Sequence, residues 1–140
     1  MGNQMTDEDR FLFDLQGYIV VPDALSPEQL ELLNAILDEQ IAEKASDART
    51  HRFGGLLSWG KPYRDLVDNP RLQSQLEQIV GDRFRLDHLF LDVCRDGKGP
   101  IGTTLHGSSG YFDPAQYYRH HRGRMYNGLT VVAYNLRDVN

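Results

Sequence analysis

The sequence predicts one α+β domain in which helices come first and strands follow. Two observations carry that fold class. Capped, amphipathic segments occupy the first 81 residues, and past Gly81 the chain turns aromatic and β-branched between turn signals. No strand-helix-strand alternation runs along the chain, which argues against a parallel βαβ sheet.

The elements follow in order. Thr6 precedes Asp7, Glu8 and Asp9, a cap followed by the acidic residues that a helix N-terminus favours, and Phe11, Leu12 and Leu15 form an apolar stripe before Gly17. Tyr18-Ile19-Val20-Val21, stopped by Pro22-Asp23, predicts a strand. Ser26-Pro27-Glu28-Gln29 supplies a cap, a proline at the first helical position and a glutamine three residues after the cap. Leu30, Leu33, Ile36, Leu37 and Ile41 then recur at helical spacing, so a helix is expected to end near Lys44. Residues 45–55 are polar and glycine-containing and predict a surface loop, after which Leu56-Leu57-Ser58-Trp59 returns to the core.

Asn69-Pro70 predicts the cap of a further helix, with Leu72, Leu76, Ile79 and Val80 on one face and Gly81 as a left-handed stop. Residues 83–95 predict one long strand, 96–100 a turn, 103–106 a second strand and 111–126 an irregular aromatic insert. Residues 129–136, Leu-Thr-Val-Val-Ala-Tyr-Asn-Leu, carry the strongest strand signal. That strand ends four residues before Asn140 with neither turn nor cap after it, so the expectation is a single domain over 1–140 that is the N-terminal half of a larger one. The sheet is then unfinished, and self-association through its open edge is expected.

Composition excludes several classes. With 15 basic and 20 acidic residues the net charge is −5, which disfavours a nucleic-acid groove or an anionic membrane surface as partner. No run of apolar residues is long enough to span a bilayer, and the first residues form no secretory signal. A single cysteine, Cys94, forms no intrachain disulfide. The expected setting is a reducing, cytoplasmic one, with that thiol packed inside a strand.

The chemistry rests on histidine. Neither a phosphate-binding loop nor a nucleophile elbow is present. His51 falls in the polar loop as a solvated residue. His88, beside Asp87, is expected as a hydrogen-bonded strand residue. His120 and His121, amid Tyr117, Tyr118, Arg119 and Arg122, point to opposite sides of any extended segment and form a charged surface turn. His106 differs, since it ends a short strand beside Gly107-Ser108-Ser109-Gly110 and so sits at a sheet rim with open space beside it.

Three segments resemble the phytanoyl-CoA dioxygenase family: FLFDLQGYIVVPDALSPEQLELL at 11–33, WGKPYRDLVDNPRLQSQLEQIVGDRFRLD at 59–87, and residues 105–138. Together they cover most of the chain in the family's order. The resemblance implies N-terminal helices packed on an incomplete double-stranded β-helix, a jelly-roll or cupin-like sheet. It also implies an enzyme that uses Fe(II), with 2-oxoglutarate as cosubstrate, to oxidise a small organic substrate.

By that resemblance His106 is the first metal ligand, and Tyr134 matches an aromatic residue of the 2-oxoglutarate pocket, although as a residue it fits a sheet aromatic equally well. The family's usual H-x-D carboxylate is replaced by Ser108, a departure shared with related halogenating enzymes, in which a small residue leaves room for chloride on iron. Asp113 is an alternative carboxylate donor and Asp92 a weaker one. The family's second histidine, and the basic residue that pairs with 2-oxoglutarate, follow the segment matching 129–136. The competing expectation is a non-catalytic binding or scaffold protein on the same fold, its metal site degraded at Ser108.

Overall fold

A computed structural model describes residues 4–44, 46–95, 97 and 116–138. These residues fall into two compact units, each assembled from three separate stretches of chain.

The first unit draws on Met1–Leu25, Asp68–Arg85 and Gly110–Tyr134. It contains helix α1 (Asp7–Gln16), helix α4 (Gln73–Val80) and a hairpin of β3 (Tyr118–His121) and β4 (Arg124–Asn127). Thr6 and Asp9 close a reciprocal capping box at the start of α1, and Gly17 ends the helix in the left-handed region. The predicted apolar stripe is not what α1 buries. Phe11 and Leu15 are exposed, and Phe13, with Ile19, packs on a core of Met5, Ile79 and Met125.

Asn69 is buried, and its amide donates to the carbonyl of Ala24 at 2.9 Å while its side-chain oxygen accepts from the N–H of Arg71 at 3.0 Å. The Asn69-Pro70 signal therefore makes a turn, and α4 proper begins four residues beyond Asn69. Gly81 does receive the end of α4, its N–H bonding the carbonyl of Glu77. With φ 98° and ψ 170°, however, it leaves the helix extended and not as a left-handed stop.

The second unit draws on Ser26–Val67, Leu86–Ser109 and Asn135–Asn140. Helix α2 (Pro27–Glu43) has the predicted capping box, with the Ser26 side chain on the Gln29 N–H and the Gln29 side chain on the Ser26 N–H. Its buried face is the expected one, centred on Leu33 and Leu37. Strand β1 (Thr50–Phe53) pairs antiparallel with β2 (Leu91–Cys94), a single 3₁₀ turn covers Leu56–Trp59, and the short helix α3 spans Lys61–Asp65. Phe53, Leu56 and Tyr63 join Leu33 and Leu37 as the buried apolar residues of this unit. Trp59 packs edge-on against both Phe53 and Tyr63, with ring centroids 5.6 and 4.9 Å apart. Midway along α2, Asn34 donates to the carbonyl of Leu136 at 2.8 Å, and the Arg137 guanidinium bonds Asn34 and Asp38.

The content is thus mixed helix and antiparallel strand, as the α+β class requires, but several predicted strands are corrected. Residues 18–21 and 129–136 form no strand, and the long strand expected over 83–95 is reduced to Leu91–Cys94. Conversely, the loop expected over 45–55 contains β1, and the insert expected to be irregular contains the β3–β4 hairpin. The described strands form two separate antiparallel pairs. The strand predicted at 103–106 lies outside the described residues.

Candidate functional site

His106, Ser108 and Asp113 lie outside the described residues, so the site is built from the other candidates. Tyr134 is half-buried in the first unit. Burial pushes its hydroxyl above the usual tyrosine range, and a hydrogen bond with the Asn69 side chain offsets part of that shift. Asn69 is the same buried amide that ties Ala24 to Arg71, so Tyr134 closes a polar knot around it.

Asp92 is committed to a different partner. Arg52, directly opposite it in the β1–β2 register, donates Nε to one carboxylate oxygen at 2.8 Å and Nη2 to the other at 2.7 Å. That side-on grip holds the Asp92 carboxyl below the usual carboxylate range. Arg52 also lies over the Phe90 ring, 3.9 Å from its centroid. A carboxylate so engaged is a poor candidate for a metal ligand. Cys94, expected to be packed, is exposed at the end of β2.

The histidines are dispersed. His88 is exposed and lies before β2, 2.7 Å from Asp87 through Nδ1 and stacked on Phe90. The predicted hydrogen bond is present there without the strand. His120 and His121 are exposed on β3, at the rim of the Arg122-Gly123 turn. Among the described residues no group of three or more His, Cys, Asp or Glu side chains could hold a metal ion.

His51 is the exception to the solvated expectation. It lies on β1, half-buried and stacked on Phe53 at 4.2 Å between ring centroids. Burial alternates along Thr50–Phe53, with His51 and Phe53 inward and Thr50 and Arg52 outward. Opposite the inward residues stand Val93 and Leu91. The Arg95 N–H bonds the Arg49 carbonyl at 3.0 Å, extending the ladder one step so that Arg49 and Arg95 face each other at its open end. Arg95 is partly satisfied by the carbonyl of Ala48 at 2.7 Å. Arg49 is not: its Nε and Nη2 are buried without a partner among the described residues, and so is Nδ1 of His51.

Sequence reasoning passed over Arg49. The signal was the alternation Arg49-His51-Phe53 against Thr50-Arg52, hidden by the polar, glycine-flanked composition of the stretch.

A pocket of about 220 Å³ opens between α2 and α3, lined by Leu32, Leu33, Pro62 and Leu66, with the Lys61–Asp65 ion pair at its edge. It brings no reactive group together. Among the described residues, no helix is long and apolar enough to cross a membrane. Comparison with known proteins finds no matching family model, no matching curated relative and no matching solved structure.

Proposed function

We propose that the chain belongs to an Fe(II)- and 2-oxoglutarate-dependent oxygenase that oxidises a small organic substrate, its helices and strands forming the N-terminal part of a double-stranded β-helix. The observation that supports this is the order and spacing of the three segments resembling the phytanoyl-CoA dioxygenase family, at 11–33, 59–87 and 105–138. Of the proposed site residues, His106 is the metal ligand and Tyr134 lines the cosubstrate pocket. The described residues do not assemble a metal site by themselves, so the iron depends on His106 and on donors outside them. Engagement of Asp92 by Arg52 leaves Asp113 as the alternative carboxylate to the missing one at Ser108.

The test is an anaerobic Fe(II) titration, with 2-oxoglutarate turnover, of the protein expressed from its complete reading frame. His106→Ala should abolish iron binding. Ser108→Asp should tighten it and remove any chloride dependence if position 108 is an open coordination site, whereas Asp113→Ala should destroy it if Asp113 is the donor. Iron-independent behaviour in all three variants would favour a binding protein with a degraded metal site.

A further inference from the structure

The inward face of the β1–β2 pair grades from apolar to cationic. Phe53 and Leu91 close one end, His51 and Val93 stand in the middle, and Arg49 and Arg95 face each other at the mouth. We propose that the buried edge of Arg49, with Nδ1 of His51 beside it, is a binding site for the carboxylate of a small organic acid. The proposal is independent of the iron chemistry above.

Three observations lead there. Nε and Nη2 form one edge of the guanidinium, the edge that grips both oxygens of a carboxylate in parallel. The chain shows this use three residues later, where Arg52 takes Asp92 with the same two atoms at 2.8 and 2.7 Å. On Arg49 both atoms are buried and have no acceptor among the described residues. A buried donor left unmade costs about 1–3 kcal/mol, more when it is charged, so such a set calls for an acceptor.

The local charge points the same way. Arg95 stands directly across from Arg49, a pairing of like charges that destabilises an antiparallel ladder unless an anion lies between them. Lys44 adds a third cation, 5.8 Å above the Phe53 ring. The one carboxylate of this strand pair, Asp92, faces the other side and is held by Arg52.

A planar carboxylate suits the two parallel donors of the Arg49 edge better than phosphate does. Phosphate carries two further oxygens, whose lone pairs would need additional buried donors beyond that edge. Arg49 lies at a bend just before β1.

Trp59 is the only tryptophan of the chain. It touches this face through Phe53, which stacks on His51. Acetate, succinate, benzoate, inorganic phosphate and chloride are therefore titrated at constant ionic strength, following Trp59 fluorescence and the His51 imidazole resonances. The expected result is a saturable response to carboxylates, weakened at least tenfold by Arg49→Lys, which keeps the charge but loses the edge, and unchanged by Arg52→Lys. A response to chloride equal to that of the carboxylates, a preference for phosphate, or unaltered binding by Arg49→Lys overturns the proposal. If Arg49→Lys does not fold, the unsubstituted chain still decides, since His51 resonances that do not move saturably with a carboxylate overturn it too.

Discussion

The hydroxyl of Tyr63, on α3, donates to the main-chain carbonyl of Leu33, on α2, at 3.0 Å, and these are the two largest fully buried side chains. A carbonyl inside a helix already serves the helical ladder, so the tyrosine adds a second bond to it and fixes α3 against α2 at one point. Tyr63→Phe should cost about 0.5–1.5 kcal/mol in urea unfolding, the net worth of one hydrogen bond.

The same tyrosine should make stability fall in alkali. Burial, and then the negative charge of Asp38, push its hydroxyl up to about 12 from an ordinary 10.0. Between those values the unfolded chain releases the proton and the folded chain keeps it, so stability present below pH 10 is lost as pH rises toward 12. The loss is up to about 2–3 kcal/mol. Unfolding curves from pH 9 to 12 should show that extra decline in the unsubstituted chain and lack it in Tyr63→Phe.

Leu33→Ala should be more costly than Tyr63→Phe. Leu33 is 1% exposed, in a unit whose core holds few other large apolar side chains. Loss of the side chain and the cavity left behind predict about 2–5 kcal/mol. Leu32→Ala, its exposed neighbour, should stay within about 0.5 kcal/mol. Thermal melts of the pair provide the comparison.

The Arg52–Asp92 pair should matter little at neutral pH and fade in acid. The arginine side chain is mostly exposed, so a double-mutant cycle should return a coupling under about 1 kcal/mol. The Arg52 hydrogen bonds hold Asp92 below the ordinary carboxylate value, so the contribution is present above pH 4 and lost as pH falls through the lowered value. Asp92→Asn should remove that acid-side dependence.

Gly81→Ala should destabilise through the backbone alone. Among the described residues, no atom beyond the adjacent residues lies within 4 Å of the added methyl position, yet φ is 98° with ψ 170°, a conformation nearly confined to glycine. The expected loss is about 1–3 kcal/mol. Gly54→Ala, equally uncrowded and without a positive φ, should be neutral or slightly stabilising. Equal effects at the two sites would contradict the backbone argument.

Helices were legible in this sequence because their signals are local. The Ser26 and Gln29 box is made by residues three apart, and both of its bonds form. Strands were not, because a strand is completed by a partner that sequence pattern does not name. Residues 129–136 have strong β composition, yet Val131 and Val132 are exposed and unladdered. Thr50–Phe53 reads as loop but finds β2 across from it. The β3–β4 hairpin was concealed by its turn, where Arg122 and Gly123 both adopt positive φ, at 53° and 74°. Such a two-residue turn is usually announced by Asn-Gly or Asp-Gly. His106, proposed as a metal ligand on the family resemblance, lies outside the described residues. The unsatisfied edge of Arg49 became visible only when β1 set which side chains face inward.

Interleaving of the two units constrains how the chain acquires its structure during synthesis. Each unit takes its third segment from the last part of the chain, up to Tyr134 in one and from Asn135 onward in the other. Asn34 and Asp38 meet Arg137 only when that residue has left the ribosome, nearly a hundred positions after α2 emerged. The α2 helix, locally capped at Ser26, can form early, and α3, which meets it through Tyr63, follows soon after, but the contacts of Asn34 and Asp38 must wait for Arg137. Through that interval Asn34 and Asp38 lack their late partner, and the order of translation, more than the stability of either unit, sets how long that state lasts.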